Sequence, residues 1–226
     1  MKKLILISIL YLFFGFTSPV FASFVNDNFT GTDGTDLSSH TSDSGHTWTK
    51  RGGSAIVINN NRINSAASDD SNGYYSSATP ASADYEVQAD FTVGNSANVT
   101  PAIGIRMATG AVTGYIVLYG NGTWELHAVV AGVEGAAIGT YTGDQPTTTK
   151  TVVLKASGTT ISVTIGGVSR ISVTDSSISA AGRPGVAEYF SDPDSAKYID
   201  NWSATNIVAS VKVRGSVKIR GGIKFR

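Results

Sequence analysis

Cysteine is absent from this chain of 226 residues, which excludes disulfide bonds and thiolate chemistry. A domain without disulfides must be held together by its core, and residues 23–226 are long enough to bury a sizeable one. Charged residues are few, at 15% of the chain. No segment after the N-terminus has the 3.6-residue apolar period of a helix, and none is long and apolar enough to span a membrane.

The N-terminus differs in composition from the rest of the chain. Lys2 and Lys3 precede an apolar run from Leu4 to Phe16, and Val20-Phe21-Ala22 then places small residues where a signal peptidase cleaves. This pattern predicts a secretory signal peptide over residues 1–22, with cleavage after Ala22. An uncleaved N-terminal anchor is the alternative. The prediction implies a secreted, periplasmic or cell-surface protein.

The formal net charge of zero conceals opposite charges in the body and the C-terminal tail. All 17 acidic residues lie between Asp27 and Asp200, whereas the last sixteen residues, VKVRGSVKIRGGIKFR, contain six basic residues and no acidic one. Their even period of six keeps the basic side chains on one face of an extended chain and the apolar ones on the other.

We therefore predict that the tail, residues 207–226, is a basic β-ribbon. It would bind an edge of its own sandwich, another copy of itself or an anionic surface polymer, since neither its backbone nor its apolar row can stay unpaired in water. A solvated disordered tail is the alternative, and export argues against nucleic acid as the partner. The predicted contact residues are Lys212, Arg214, Lys218, Arg220, Lys224 and Arg226.

Alternation of apolar and polar residues predicts an all-β fold. In the segment from Tyr85 to Val93 the odd positions are apolar or aromatic and the even ones polar, as in a strand with one buried face. Glycine-rich pairs such as Gly166-Gly167 separate such runs and are typical of hairpin turns. Ten or more short strands without a helix predict a two-sheet antiparallel sandwich.

Several phrases of the sequence, among them ASADYEVQADF, IGIRMATGAVTGYIVLYGNGTW and YIDNWSA, resemble concanavalin A-like, laminin-G-like jelly-roll domains over about residues 25–206. The resemblance implies two packed antiparallel sheets, one of them curved, with a concave face that often holds a glycan. We expect one such domain over residues 23–206, binding carbohydrate or another polymer without catalysis. The alternatives are a polysaccharide hydrolase or lyase and a virion-like or surface-layer subunit.

Candidate ligand-binding residues lie near the turn Gly120-Asn121-Gly122. Arg106 alternates with apolar residues and is expected to point outward, and aromatic rings beside Arg, Glu and His suit a sugar. The open alternative is that the aromatic side chains, Trp124 above all, fill the core. The predicted ligand-binding residues are Glu86, Arg106, Tyr115, Tyr119, Glu125 and His127.

A catalytic carboxylate pair is not expected. Glycosidase carboxylates lie about 5 to 9.5 Å apart, whereas Glu86 and Asp90 are four residues apart on one strand, or roughly 13 Å. Glu86 could oppose Glu125 from a neighbouring strand. The acidic signature Glu-x-Asp-x-x-Glu of hydrolases with this fold is missing, as are the motifs H-E-x-x-H and G-x-S-x-G.

No cofactor is required by the sequence, but the resemblance implies a possible structural calcium near the paired terminal strands. The matching residues are Asp27, followed by Asn28, and Asp200, followed by Asn201. Calcium binds six to eight oxygen ligands, which aspartates in loops often supply. Asp33 with Asp36 and Asp192 with Asp194 are further candidates, although aspartate is common in turns without any metal.

Overall fold

The computed structural model of the chain describes residues 22–65, 69–93, 99–120, 122–190 and 198–207. The predicted signal peptide up to residue 21 and the tail from residue 208 lie outside the described residues, as do Asp192 and Asp194. The expectations for these segments therefore stay predictions.

The described chain is almost entirely β-structure, which confirms the predicted fold class. A single 3-10 turn, Leu37–Ser39, interrupts the described strands, and Asp36 caps it by accepting a hydrogen bond from the Ser38 N–H. The strands are β1 Ser23–Asp27, β2 Trp48–Gly52, β3 Ile56–Ile58, β4 Ile63–Ser65, β5 Asp69–Ser76, β6 Tyr85–Thr92, β7 Val99–Met107, β8 Gly114–Gly120, β9 Thr123–Val130, β10 Val133–Glu134, β11 Gly139–Thr142, β12 Lys150–Ser157, β13 Thr160–Ile165, β14 Val168–Thr174, β15 Arg183–Phe190 and β16 Tyr198–Asn206.

The strands form two eight-stranded antiparallel sheets. Sheet I has the order β14-β13-β12-β6-β16-β4-β3, with β1 also paired to β16. Sheet II has the order β10-β9-β8-β7-β15-β5-β2, with β11 also paired to β9. Strands distant in sequence are neighbours, as in β6 with β16 and β7 with β15. The arrangement is a jelly-roll sandwich.

The alternation of each strand decides which side chains enter the core. In β6, Tyr85, Val87, Ala89 and Phe91 are buried, while the residues between them face solvent. The predicted β13–β14 hairpin is present, with Gly166 and Gly167 at φ of 56° and 81°. Glycine adopts this left-handed region at little cost, and two such residues give a turn whose twist matches that of the strands.

Aromatic side chains fill the space between the sheets. Trp48 of sheet II packs on Trp202 of sheet I with ring centroids 4.6 Å apart, and Phe91 of sheet I lies 5.8 Å from Trp124 of sheet II. Trp124 is fully buried, as the alternative of a core role predicted. These rings from the two sheets pack on each other, and each buries a large apolar surface. Their packing holds the sheets together without disulfides.

Glu188 of β15 is an exception within this apolar core. Its side chain is fully buried beside Val186, and neither carboxyl oxygen has a hydrogen-bond partner among the described residues. Burial without partners disfavours the charged form, so the pKa of Glu188 is raised well above the usual value of 4.5. Glu188 is therefore expected to stay protonated at some pH values at which exposed glutamates are already ionised.

Candidate functional site

The outward faces of the two sheets differ in burial and in chemistry. On sheet I the outward side chains of β6 are Glu86, Gln88, Asp90 and Thr92, all of them polar and in contact with solvent. On sheet II, five outward-facing apolar residues are no more than 8% exposed, namely Ala102, Ile116, Leu118, Val129 and Ala187. Neighbouring side chains therefore cover these residues, and a pocket on this outer face is lined by Arg51, Met107, Ile116 and Val129 among others.

Small residues form a low floor across the middle of this outer face, beside the pocket. Across the strands, Ala102 of β7 pairs with Ala187 of β15, and Gly104 pairs with Gly185. Gly73 of β5 continues the row beside Ala187. We call this floor, with its flanking side chains, the trough. It crosses from β8 to β5, and three strand spacings amount to about 14 Å.

Larger side chains bound the trough at both ends. At one end, Ile116 and Leu118 of β8 lie beside His127 and Glu125 of β9. At the other end, Tyr75 of β5 pairs with Gly185, and the Arg51 guanidinium lies 5.4 Å from the centre of the Tyr75 ring. An aromatic face and hydrogen-bonding groups thus stand on either side of a floor of small residues, part of which the Met107 side chain covers.

His127 lies between two carboxylates at the β9 end of the trough. Its Nε2 is 3.0 Å from Glu125 Oε2, and its Nδ1 is 3.1 Å from Glu134 Oε1 and 3.1 Å from the Gly135 carbonyl oxygen. The ring is nearly buried, whereas the carboxylate side chains are 37% and 39% exposed. The imidazole therefore fixes the two carboxylates, and each keeps a second oxygen for other donors.

Glu125 and His127 thus lie together, as the sequence predicted, but Glu86 does not join them. Glu86 belongs to β6 of sheet I and points outward, where its Oε2 lies 3.9 Å from Lys155 Nζ. The proposal that Glu86 opposes Glu125 from a neighbouring strand is wrong, because β6 and β9 belong to different sheets and these side chains face away from each other.

The expectation that Arg106 points outward is also wrong. Arg106 has a φ of 56°, which breaks the alternation of β7 and turns its side chain inward. The side chain is 2% exposed and donates to the carbonyls of Ala83, Gly158 and Ile178. The left-handed conformation moves Met107 to the outer face instead, where its sulfur covers Gly104 and Gly185.

Tyr115 and Tyr119 face the core and not the solvent. The Tyr115 hydroxyl donates to Asp175 Oδ1 at 2.5 Å, and burial together with this bond raises the pKa of Tyr115. Tyr119 packs on Trp124 with ring centroids 4.9 Å apart. The predicted ligand-binding role of these two residues and of Arg106 therefore does not fit their position in the structure.

The two predicted calcium ligands are not brought together. Asp27 is fully buried, and its oxygens already accept hydrogen bonds from the Phe29 N–H and Trp48 Nε1, with His40 Nε2 at 3.0 Å. A carboxylate surrounded by N–H groups does not fit a cation. Asp200 lies on the outer face of sheet I, paired with Asp90. Within the described ranges, no group of three or more His, Asp or Glu side chains could hold a metal ion.

Sequence reasoning missed most of the trough, although one strand carries a signal for it. The segment GYIVLYG of β8 is apolar or small at every position except for its two tyrosine hydroxyls. Strands that are buried on both faces read as continuous apolar runs. Glu134 and Tyr75 had no local signal, because the strand order alone brings them to this face.

Comparison with solved structures supports the same architecture. The carbohydrate-binding module CBM66 from Bacillus subtilis is 20% identical, with a TM-score of 0.56 over 70% of this chain and 95% of that one. The Emp46p carbohydrate recognition domain in a potassium-bound form is 9% identical, with a TM-score of 0.60 over 84% of this chain and all of that one. The VIP36 exoplasmic/lumenal domain in a Ca2+/Man-bound form is 10% identical, with a TM-score of 0.52 over 76% of this chain and 88% of that one.

These similarities show that the chain has the concanavalin A-like jelly-roll lectin fold, which confirms the resemblance in the sequence. No family model and no curated protein sequence matches the chain. In the part of the chain that the structure describes, no helix is long and apolar enough to cross a bilayer.

Proposed function

We propose that this protein is an exported, non-catalytic carbohydrate-binding domain that holds a glycan in the trough of sheet II. The observation that carries the proposal is the trough itself: a low, small-residue floor with Tyr75 at one end and Glu125 with His127 at the other. Sugar rings present flat C–H faces that pack on apolar surface and aromatic rings, and hydroxyls that bond to carboxylates and imidazole.

The fold supports this proposal as an analogy. Two of the structures with a similar fold are named as a carbohydrate-binding module and a carbohydrate recognition domain, and a third is described with mannose bound. Because one fold can carry many functions, the analogy adds weight only where the site has suitable geometry. The trough has an apolar floor of small residues between polar groups, whereas the outward side chains of β6 on sheet I are all polar.

A polysaccharide hydrolase or lyase is the competing function, and the distance between the Glu125 and Glu134 carboxylates favours it. Glu125 Oε2 and Glu134 Oε1 lie on opposite sides of one imidazole ring, so they are at most roughly 8 Å apart, within the range of inverting glycosidases. However, the His127 ring occupies the space between them. A sugar would have to lie in that space to be protonated from one side and attacked by water from the other, so we favour binding without catalysis.

The proposal also includes export of the protein and its attachment through the basic tail. The charged and apolar N-terminus would direct the chain out of the cytoplasm, to a secreted, periplasmic or cell-surface location. The basic tail would then attach the domain to an anionic polymer or to another copy, while the trough holds the glycan.

A glycan-array screen followed by affinity measurements tests the proposal. Ala187→Phe places a ring on the floor of the trough and should lower the affinity for any glycan that binds by at least 10-fold, because a sugar and a side chain cannot share the space. Gln88→Phe on the outer face of sheet I is the matched control and should leave the affinity unchanged. Equal affinities for both variants would place the site elsewhere, and binding to no glycan would overturn the proposed function.

A further inference from the structure

Within the described residues, neither Glu125 nor Glu134 forms an ion pair with a lysine or an arginine. Glu125 and Glu134 share a single partner, His127, which can bring at most one positive charge for two negative ones. Their side chains are more than one-third exposed, and each has one oxygen that makes no bond to the described residues. This end of the trough therefore presents a negative potential to whatever enters it.

The cation at the other end of the trough is already bound within the protein. Arg51 donates from Nη1 to the Thr109 carbonyl at 2.8 Å and from Nη2 to the Gly110 carbonyl at 2.8 Å. It also lies over the Tyr75 ring. These bonds use two of its five N–H donors and hold the guanidinium in place. Arg51 is thus fixed beside Tyr75, on a strand that lies five places from β9 in the order of sheet II.

We infer that Glu125 and Glu134 determine specificity: the trough accepts glycans without acidic groups and rejects those that carry carboxylates or sulfates. The inference rests on the proposed glycan-binding function. Carboxylate oxygens accept hydrogen bonds from sugar hydroxyls or amines, and such charge-assisted bonds are the stronger kind. An acidic sugar brought to the same place would lose these bonds and be repelled, which is how a binding site excludes a competing ligand.

His127 is a positioning residue in this account. It contacts both carboxylates and holds them on the same side of β9, but its nearly buried ring leaves little surface for a ligand. Ligand discrimination is therefore assigned to the two glutamates. His127 limits how far they can turn away from an approaching acidic group.

The test uses one glycan in two forms, so that only the charge differs. A neutral glycan that binds in the screen is compared with the same glycan after its primary alcohols are oxidised to carboxylates. Binding of the oxidised form that survives in Ala187→Phe is assigned to the basic tail and subtracted. The unmodified protein should prefer the neutral form by about 10-fold or more, since repulsion of about 1.4 kcal/mol corresponds to a factor of ten.

The double variant Glu125→Gln/Glu134→Gln keeps the shape of the site and removes its charge. Its preference for the neutral form should fall to about threefold or less, while the control Glu86→Gln on sheet I should keep the full preference. An unchanged preference in the double variant, or equal binding of both forms by the unmodified protein, would overturn the inference. Either result leaves the proposed function standing, whereas failure of every glycan to bind would remove both.

Discussion

Arg106 connects the two sheets at the scale of a single residue. Its guanidinium reaches from β7 of sheet II to the carbonyls of Ala83 and Gly158, which belong to the loops of sheet I, and its Nη2 lies 3.4 Å from Asp84 Oδ1. Its backbone N–H donates to the Tyr85 hydroxyl at 2.5 Å. A charged side chain in this position is tolerated because nearly all of its donors have acceptors.

Replacing Arg106 with Met should therefore be costly. The substitution leaves the buried carbonyl acceptors of this cluster without donors, and the expected loss is about 3 kcal/mol or more in the free energy of unfolding. Urea denaturation of the two proteins measures it. Arg106→Lys keeps the charge but cannot reach all the carbonyls at once, so it should give an intermediate loss. A loss below about 1 kcal/mol for Arg106→Met would contradict the role of Arg106 as a cross-link between the sheets.

Glu188 makes the stability of the domain depend on pH. Its pKa in the folded state is raised by burial above the usual 4.5, so the folded state holds this proton more tightly than the unfolded state. The contribution of Glu188 to stability is therefore greatest at acidic pH. It is lost as the pH rises from the pKa of Glu188 in the unfolded state through its raised pKa in the folded state.

Glu188→Gln should remove this dependence, because glutamine has nearly the same shape and no proton to lose. The free energy of unfolding of the variant, relative to the unmodified protein, should increase as the pH rises above 4.5, the usual pKa of glutamate. Chemical denaturation at a series of pH values measures the difference and cancels the contribution of all other titrating groups. A difference that stays constant with pH would show that Glu188 titrates normally.

At the scale of the strand, alternation was the reliable signal. It predicted β6 and the β13–β14 hairpin, because a side chain that alternates inward and outward along a strand needs only local sequence to be assigned. It failed at Arg106, where one residue in the left-handed conformation reversed the alternation at the end of β7. Such a reversal depends on the acceptors that the side chain finds in distant loops, which local sequence does not contain.

The candidate site was predicted less well than the fold. Glu125 and His127 were found from their alternation with Trp124 and Leu126. Their partner Glu134 and the floor residue Ala187 were not, because they reach the trough only through the order of strands in sheet II. Pairing between strands that lie far apart in sequence is decided by the packing of the whole sandwich, and no single segment encodes it.

The tail gives an element-scale prediction of its own. If residues 207–226 bind an anionic polymer by their charges, attachment should weaken as salt rises to about 0.5 M, where the screening length is roughly 4 Å. Replacing Lys212, Lys218 and Lys224 with Glu should abolish attachment and leave the unfolding of the domain unchanged. Binding to immobilised anionic polysaccharide across a salt series measures both effects.

A one-residue insertion after Gly215 tests whether the tail acts as a ribbon. The insertion moves the second half of the basic row to the opposite face of an extended chain, so binding should fall although the number of charges stays the same. Full binding by the insertion variant would show that only the number of charges matters. The tail would then act as a flexible basic segment.

At the scale of the whole molecule, charges of opposite sign lie in different parts of the chain. The body contains all 17 acidic residues, two of them at the β9 end of the trough, and the tail contains six basic residues. A neutral glycan in the trough and an anionic polymer on the tail would not compete, because the two glutamates repel the polymer and the neutral glycan has no charge for the tail to attract. Under the proposed function, one molecule would then hold two different polymers at once.

Amide chemical-shift mapping during titration with a glycan identified in the screen tests the central claim most directly. Shifts should be concentrated at outward-facing residues of the trough, such as Ala102, Leu118, Glu125 and Ala187, since bound ligand changes the surroundings of the amides it covers. The outward residues of sheet I, such as Gln88 and Ser162, should not shift. Shifts concentrated on sheet I, with the trough unaffected, would contradict the account.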